Sequence, residues 1–228
     1  MDLAVLDMAG TTIDDGNVVY QVLRAVVEAE GAVVDHERFL GWTGTEKRWA
    51  IENLLRIGGV EADDALIDRT WARFRADLAA AYVSRPPRPL SGVPEALEQL
   101  RARGIKVVLT TGFDEETADA LLRGIGWTTG AGDPGATVDG MVCATQVRAG
   151  RPAPYMIHHA MEAVGSIDVH EVAAAGDTPA DVLAAHHAGV RAIGVLSGAS
   201  RQADFATLPV DLVVESVAAL PEHPLFTP

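Results

Sequence analysis

Residues 3–12 read Leu-Ala-Val-Leu-Asp-Met-Ala-Gly-Thr-Thr, an apolar run that stops at a carboxylate and then turns through small residues. The four leading apolar residues predict a buried β-strand that ends at Asp7. In an open parallel sheet, ligands bind beyond the carboxyl ends of the strands, so Asp7 lies where chemistry is expected. Asp is also a common helix cap, and this stretch alone is equally compatible with that structural role.

The pattern after this strand predicts a turn at 13–16 and then helices. Apolar residues recur at helical spacing from about residue 17 to residue 82, where no strand is expected. The proline-rich segment 85–89 breaks the chain like a hinge. From residue 91 onward, predicted helices alternate with strands. Those strands cover 106–109, 138–143, 172–175, 192–196 and 212–214.

Alternating strands and helices imply a parallel sheet that is covered on both faces. We therefore predict an α/β fold: a doubly wound, Rossmann-like parallel sheet with an all-helical cap inserted after the first strand. The core would comprise residues 1–15 and 88–228, and the cap residues 16–87.

The composition excludes several classes of protein. A chain of 228 residues with 48% hydrophobic residues can bury a sizeable core, and no apolar run is long enough to predict a membrane span. The formal net charge of -14 argues against nucleic acid or an anionic membrane as partner. A strand predicted so near residue 1 leaves no room for a signal peptide, and the lone Cys143 fits a reducing compartment, so we expect a cytoplasmic protein.

Polar clusters follow several predicted strands. They include Asp7, the Thr111-Gly112 pair, and Asp177 with Asp181, while Arg151 lies in a nearby loop. Carboxylates at the ends of separate strands would repel one another unless a cation joined them, and a few oxygen ligands suit Mg²⁺ together with a substrate phosphate. Thr111, Arg151 and the backbone N–H of Gly112 would then bind the oxygens of a phosphoryl group.

The chain resembles the haloacid dehalogenase superfamily over nearly its whole length. Four signature elements occur in order: residues 7–11 (Asp-Met-Ala-Gly-Thr), 109–112 (Leu-Thr-Thr-Gly), 151–152 (Arg-Pro), and 176–177 (Gly-Asp) with Asp181. The resemblance implies that Asp7 is a nucleophile that forms an aspartyl-phosphate. It also implies that Asp7, the Ala9 carbonyl and Asp177 hold Mg²⁺, and that Asp181 either binds the ion or supports the residues that do.

Ala9 departs from the pattern of the phosphatases in this superfamily. They carry an Asp at this position, which protonates the leaving alkoxide and then activates water. General acid–base help of this kind is worth about 10² to 10⁴ in rate. Either the enzyme is impaired or the leaving group is not an alkoxide. If a P–C bond is cleaved, the leaving group is a carbanion, and a Lys Schiff base supplies the electron sink that it needs.

A lysine with the right spacing is present in the predicted cap. Residues 44–47 (Gly-Thr-Glu-Lys), together with the other motifs, resemble the phosphonatases, which hydrolyse phosphonoacetaldehyde and whose cap lysine forms an imine. Carried over, Lys47 is the imine-forming residue, and its pKa would have to be lowered. The chain departs from that family at Ala50, where phosphonatases have His, at Phe113, where they have Tyr, and in having a shorter cap.

Three functions remain open. The first is a Mg²⁺-dependent hydrolase that cleaves the P–C bond of phosphonoacetaldehyde or a related phosphonate. The second is a phosphate-monoester phosphatase in which Lys47 only contacts substrate, and the third is a silent phosphate-binding protein. The intact set of Asp7, Thr111, Arg151 and Asp177 argues against the third. The expected partner is a small-molecule phosphonate or phosphate, and a homodimer is compatible with the sequence.

Overall fold

The computed structural model describes residues 1–227, and its central feature is a six-stranded sheet in the order β5-β4-β1-β6-β7-β8. Every neighbouring pair in that sheet is parallel. The strands of this sheet are β1 (Leu3–Asp7), β4 (Lys106–Thr111), β5 (Gly140–Cys143), β6 (Val172–Gly176), β7 (Arg191–Val195) and β8 (Leu212–Val214). Two further strands, β2 (Ile13–Asp14) and β3 (Arg88–Pro89), form a separate two-stranded sheet.

Helices flank both faces of the sheet, which confirms the predicted α/β, doubly wound architecture. The helices are α1 (Val18–Ala29), α2 (His36–Leu40), α3 (Lys47–Ile57), α4 (Asp64–Ser84), α5 (Val93–Ala102), α6 (Glu115–Gly124), α7 (Tyr155–Val164), α8 (Pro179–Ala188) and α9 (Gln202–Phe205). Short 3₁₀ segments cover Ala144–Gln146, Val169–Glu171, Val217–Glu222 and Pro224–Phe226. Within residues 1–227, no helix combines the length and the apolarity needed to cross a bilayer.

The central strand β1 divides the hydrophobic core into two layers. Its side chains alternate: Leu3 and Val5 pack in a layer with α7 and α8, whereas Ala4 and Leu6 pack in the layer of α5 and α6. Both layers exclude water from β1, whose five residues are all buried. Asp7 ends this strand opposite Thr110 of β4, so the carboxyl edge of the sheet brings residues of two motifs together.

Four helices, α1 to α4, lie in sequence between β2 and β3, in the segment for which a helical cap is predicted. We call residues 16–87 the helical insert. Its buried side chains, among them Leu23 of α1, Leu54 of α3 and Phe74 of α4, join the core layer that contains Leu6. Asp35 caps α2 by accepting a hydrogen bond from the Arg38 N–H at 2.8 Å.

The predicted turn over 13–16 is wrong in its first half. Ile13 and Asp14 form β2, which pairs antiparallel with β3 through Ile13 opposite Pro89 and Asp14 opposite Arg88. The two segments that connect the sheet to the insert, β2 and β3, are therefore hydrogen-bonded to each other. A two-residue ladder is too short to leave a period in the sequence, and the proline in β3 obscures it further.

Candidate active site

Arg151 lies at the centre of the polar cluster at the carboxyl edge of the sheet. Its guanidinium pairs with Asp7 Oδ1 at 2.6 Å and with Asp181 Oδ1 at 2.9 Å, and donates to Thr110 Oγ1 at 2.7 Å. Burial by itself would lower the pKa of Arg151, but the carboxylates of Asp181 and Asp7 raise it above its usual value. A buried arginine that contacts two carboxylates stays charged and holds both of them in place.

Asp177 and Asp181 follow β6 and are both buried. Asp177 accepts hydrogen bonds from Thr11 Oγ1 at 3.2 Å and from the Ala199 N–H at 2.7 Å. Asp181 Oδ2 accepts from the Thr178 N–H at 3.1 Å and from its hydroxyl, so both Asp181 oxygens are engaged. Burial, followed by the nearby carboxylates, raises the pKa of Asp177, and burial also raises that of Asp181. Such a cluster favours a bound cation.

Several polar atoms at this edge have no partner within residues 1–227. Asp7 Oδ2 and the Ala9 carbonyl accept no hydrogen bond, and the Gly112 N–H donates none. Among the described residues, no group of three or more His, Cys, Asp or Glu side chains could by itself hold a metal. Mg²⁺ is commonly bound by one or two carboxylates, with water and substrate oxygens completing its shell. Two carboxylates, Asp7 and Asp177, and one open carbonyl therefore fit Mg²⁺.

Lys47 is the first residue of α3 and points away from solvent, with 4% of its surface exposed. Glu46 caps this helix by accepting from the backbone N–H groups of Arg48 and Trp49 at 2.8 and 2.6 Å. The Lys47 ammonium donates to the Thr45 carbonyl at 2.7 Å. Desolvation, which disfavours the charged amine, lowers the pKa of Lys47 to about 8.

Two aromatic rings flank the Lys47 nitrogen. The centroids of Tyr20 and Phe113 each lie 5.7 Å from Nζ. Phe113 comes from the loop after β4, whereas Tyr20 comes from α1 of the insert. The lysine therefore sits between an apolar wall of the core and one of the insert, and these walls are part of the desolvation that lowers its pKa.

Two glycines allow the insert to lie directly against the sheet edge. Gly44 has a φ of +73°, and a Cβ there would overlap the Thr178 hydroxyl. A Cβ on Gly112 would overlap the Thr45 carbonyl and lie 3.1 Å from Lys47 Nζ. Because neither glycine has a Cβ, the loop 43–46 touches the motifs after β4 and β6.

A small cavity of about 10 Å³ remains between the insert and the sheet edge. We call it the chamber. Its lining includes Asp7, Ala9, Tyr20, Lys47, Thr111 and Arg151. The structure therefore brings the predicted nucleophile, the predicted phosphoryl ligands and the predicted imine-forming lysine to one place, although they come from four separate segments of the chain.

The sequence analysis assigns no individual role to three residues of this site. Tyr20 reads as one more residue of an amphipathic helix, and nothing in the local pattern marks it. Thr110 precedes the predicted Thr111 and is the one that binds the Arg151 guanidinium, whereas Thr111 Oγ1 accepts from the Phe113 N–H at 3.2 Å. Thr11 supports Asp177 across the sheet edge. The contacts of Tyr20, Thr110 and Thr11 join distant segments, so only the fold shows them.

A family model of haloacid dehalogenase-like hydrolases matches residues 1–189. The chain belongs to this family. It is a hydrolase, as its relatives also indicate. A phosphonoacetaldehyde hydrolase of Bacteroides fragilis is 30% identical over 218 residues, covering 89% of this chain and 79% of the relative. One of Bacillus cereus is 29% identical over 218 residues, covering 88% of this chain and 77% of the relative.

Solved structures of this family share the fold. A phosphonoacetaldehyde hydrolase-like protein from Oleispira antarctica superposes with a TM-score of 0.79 at 25% identity, covering 97% of this chain and 90% of that one. A hydrolase from Pseudomonas syringae gives a TM-score of 0.84 at 21% identity, covering 98% and 97% of the two chains. The resemblance to phosphonoacetaldehyde hydrolases that the motifs indicate is thus confirmed.

Proposed function

We propose that this hydrolase cleaves the P–C bond of phosphonoacetaldehyde or a related phosphonate with the help of Mg²⁺, through an imine at Lys47 and an aspartyl-phosphate at Asp7. The observation that carries the proposal is the position of Lys47. Its amine is buried in the same chamber as Asp7, and desolvation lowers its pKa to about 8. A desolvated lysine beside a carboxylate nucleophile suits imine chemistry.

The sheet edge would bind and attack the phosphoryl group. Asp7 Oδ2 is the open oxygen for attack, because Arg151 holds Oδ1 at 2.6 Å. The Thr111 hydroxyl and the Gly112 N–H would bind phosphoryl oxygens, and Arg151 would add a positive charge. Asp7, Asp177 and the Ala9 carbonyl would hold Mg²⁺, which when bound would neutralise charge on the phosphoryl oxygens.

Asp181 would serve this edge by positioning Arg151. Its two oxygens are taken by Arg151 Nε and by the Thr178 backbone and hydroxyl. The carboxylate therefore orients the guanidinium that in turn orients Asp7. A residue in this role affects the reaction through the geometry of its partner.

The insert would supply the electron sink. The neutral Lys47 amine condenses with the aldehyde and releases one water, giving an imine that is reactive when protonated. As Asp7 attacks phosphorus, the P–C bond pair moves into the iminium and leaves an enamine. Proton uptake and hydrolysis of the resulting imine return the aldehyde product and free Lys47, and water hydrolyses the aspartyl-phosphate. No alkoxide leaves, which is consistent with Ala9 in place of an acid.

The helical insert would act as a cap in this reaction. With the insert packed against the sheet edge, the chamber has only about 10 Å³ of free volume, so substrate must enter while the insert is displaced. Closure would then exclude water from the imine and strengthen the interactions with the phosphoryl group. We take residues 16–87 as this cap, and 1–15 with 88–228 as the core.

The test uses the fact that the chain has two lysines, Lys47 and Lys106. Phosphonoacetaldehyde and borohydride should reduce an imine onto Lys47 alone, detectable as an added mass on its peptide. Lys47→Arg should abolish both the adduct and phosphate release, because a guanidinium stays protonated. Lys106→Arg is the matched control, since Lys106 begins β4 away from the chamber and its side chain is 43% exposed.

The rival function, hydrolysis of phosphate monoesters, predicts the opposite result. A panel of phosphate monoesters should then be turned over with Mg²⁺, no adduct should form, and Lys47→Arg should keep much of the activity. Retained P–C cleavage in Lys47→Arg would contradict an imine at this residue.

A further inference from the structure

Tyr20 places a phenol in the chamber from the insert side. Its hydroxyl accepts a hydrogen bond from the Gly44 N–H at 3.1 Å, and its ring centroid lies 5.7 Å from Lys47 Nζ. The same residue also lines an open cleft of about 630 Å³ on the outside of the molecule. Tyr20 is therefore a wall between the chamber and the outside, directly beside the amine.

The proton of this hydroxyl has no acceptor within residues 1–227. Partly or fully buried tyrosines normally use both the donor and the acceptor capacity of the O–H group. Separating the chamber from the outside requires only the aromatic ring, which phenylalanine would also provide. The Gly44 N–H fixes the position of the Tyr20 hydroxyl oxygen, and the hydroxyl proton beside the buried lysine has no acceptor within the described residues. This hydroxyl is therefore suited to donate a hydrogen bond to a bound molecule.

The other side chains of the chamber leave this role open. Arg151 donates to Asp7, Asp181, Thr110 and Gly44. The Thr111 hydroxyl lies at the sheet edge, where the phosphoryl group would bind. On the insert side, the lysine itself is the nucleophile toward carbon.

We propose that the Tyr20 hydroxyl is a catalytic hydrogen-bond donor to the carbonyl oxygen of the aldehyde that Lys47 attacks. This inference rests on the proposed function, because it concerns the atom that leaves when the imine forms. It assigns the insert a pair of groups: Lys47 for the carbonyl carbon and Tyr20 for the carbonyl oxygen.

The atoms balance without any proton loss from Tyr20. The amine lone pair forms the C–N bond while the C=O π pair moves onto oxygen, and that oxygen takes one proton from nitrogen to give a carbinolamine. The second nitrogen proton leaves with the hydroxyl as water, and the nitrogen lone pair forms the C=N bond. Tyr20 stabilises the charge that develops on oxygen in both steps. Desolvation and the nearby Asp177 and Asp7 raise the pKa of Tyr20, which keeps the phenol protonated throughout.

The test compares Tyr20→Phe with Tyr82→Phe in the full-length protein. Tyr82 is the matched control, because its hydroxyl donates to Asp15 Oδ2 at 3.1 Å at the end of the insert, outside the chamber. The rate of borohydride trapping of acetaldehyde on Lys47 should fall about tenfold in Tyr20→Phe, the loss of one hydrogen bond of about 1.4 kcal/mol. Trapping in Tyr82→Phe should stay within twofold of the wild-type rate.

Two further measurements separate donation from a merely structural role of Tyr20. The pH profile of trapping should keep its midpoint and lose only plateau height, since Lys47 keeps its surroundings. The affinity for beryllium fluoride with Mg²⁺, followed by ¹⁹F NMR, should be unchanged, because it reports on the sheet edge. A shifted midpoint or a parallel loss of beryllium fluoride affinity would mean that Tyr20 only supports the Gly44 loop, and the inference would be overturned.

The remaining outcomes are distinct. Equal trapping rates in wild type and Tyr20→Phe would refute the donor role and leave the imine at Lys47 standing. Absence of any trapping in the wild-type protein would refute the proposed function, and the role of Tyr20 with it.

Discussion

The two sides of the chamber are built in opposite ways. On the sheet side, one guanidinium joins Asp7, Asp181 and Thr110 through contacts of 2.6 to 2.9 Å. On the insert side, Lys47 makes one hydrogen bond, to a backbone carbonyl, and otherwise faces aromatic rings. The sheet side holds charges in fixed positions, whereas the insert side holds one amine whose charged form is disfavoured by burial.

The same physical cause has different consequences on the two sides. Burial raises the pKa of the Asp177 carboxyl and lowers that of the Lys47 ammonium, because it disfavours the charged form of each. At the sheet edge this favours the binding of a cation, which restores the carboxylates. Around Lys47 the charge of Asp7 offsets only part of that desolvation, so a share of Lys47 is a free amine near neutral pH. A cation-binding sheet edge and a reactive amine thus arise from the same burial.

The largest effect is expected from a substitution that removes the nucleophile on the sheet side and leaves the insert side intact. Asp7→Asn should lower phosphate release from phosphonoacetaldehyde by at least about 10⁴-fold, because an amide cannot form an acyl phosphate. Borohydride trapping of acetaldehyde on Lys47 should persist, since that step needs only the insert side. Asp14→Asn, at the exposed end of β2, is the matched control and should behave as the wild type. Full turnover by Asp7→Asn would refute the proposed nucleophile.

A smaller effect is expected where the two sides meet. Gly44→Ala should lower kcat/KM for P–C cleavage by about 10²-fold, because the added methyl overlaps Thr178 and displaces the loop that carries Lys47. Gly59→Ala is the matched control, since its φ of +88° imposes similar backbone strain with nothing within 4 Å of the new methyl. Backbone strain should cost both variants roughly 1 kcal/mol of stability on thermal unfolding, and the overlap with Thr178 should cost Gly44→Ala more, but only Gly44→Ala should lose activity. Equal activities would mean that the contact at Thr178 is dispensable.

The rate at which Lys47 is trapped by acetaldehyde and borohydride is expected to change about tenfold per pH unit below about pH 8. The pKa of Lys47 is lowered to about 8, so the free amine falls about tenfold for each unit below that value and is nearly constant above it. Trapping of acetaldehyde at saturating concentration should therefore rise with pH and level off above about 8. A level profile down to pH 6 would show that Lys47 is not the titrating nucleophile.

The smallest effect is expected from restoring the missing acid. Ala9→Asp should leave P–C cleavage unchanged or lower it by about threefold, because another carboxylate joins an edge that already holds Asp7 and Asp177. Hydrolysis of phosphate monoesters should rise, since their alkoxide needs a proton. If P–C cleavage rose instead, the leaving group would be one that an acid assists, and the phosphatase function would be favoured.

Features that a local stretch of sequence determines, such as a strand or the motif after it, could be predicted. Contacts between distant segments of the chain could not. The predicted strands and the residues that follow them carry distinctive motifs, so Asp7, Thr111, Arg151 and Asp177 could be named as candidate site residues in advance. Tyr20 could not, because its importance depends on Gly44 and Lys47, which lie in other elements. The ladder of β2 and β3 was missed for a similar reason, since two residues cannot show a period.

The central position of β1 has a consequence for how the chain folds. Leu3 pairs with Lys106 and with Val172, so the nucleophile's strand is synthesised before both strands that pair with it. About 170 residues separate Leu3 from Val172, and translation at 5–20 residues per second leaves the β6 side of the strand unpaired for roughly 10–30 s. The chain must keep an apolar, five-residue strand from aggregating during that time, while the insert helices, whose contacts are local, can already form. The same connectivity that places Asp7 at the centre of the site makes its strand depend on nearly the whole chain.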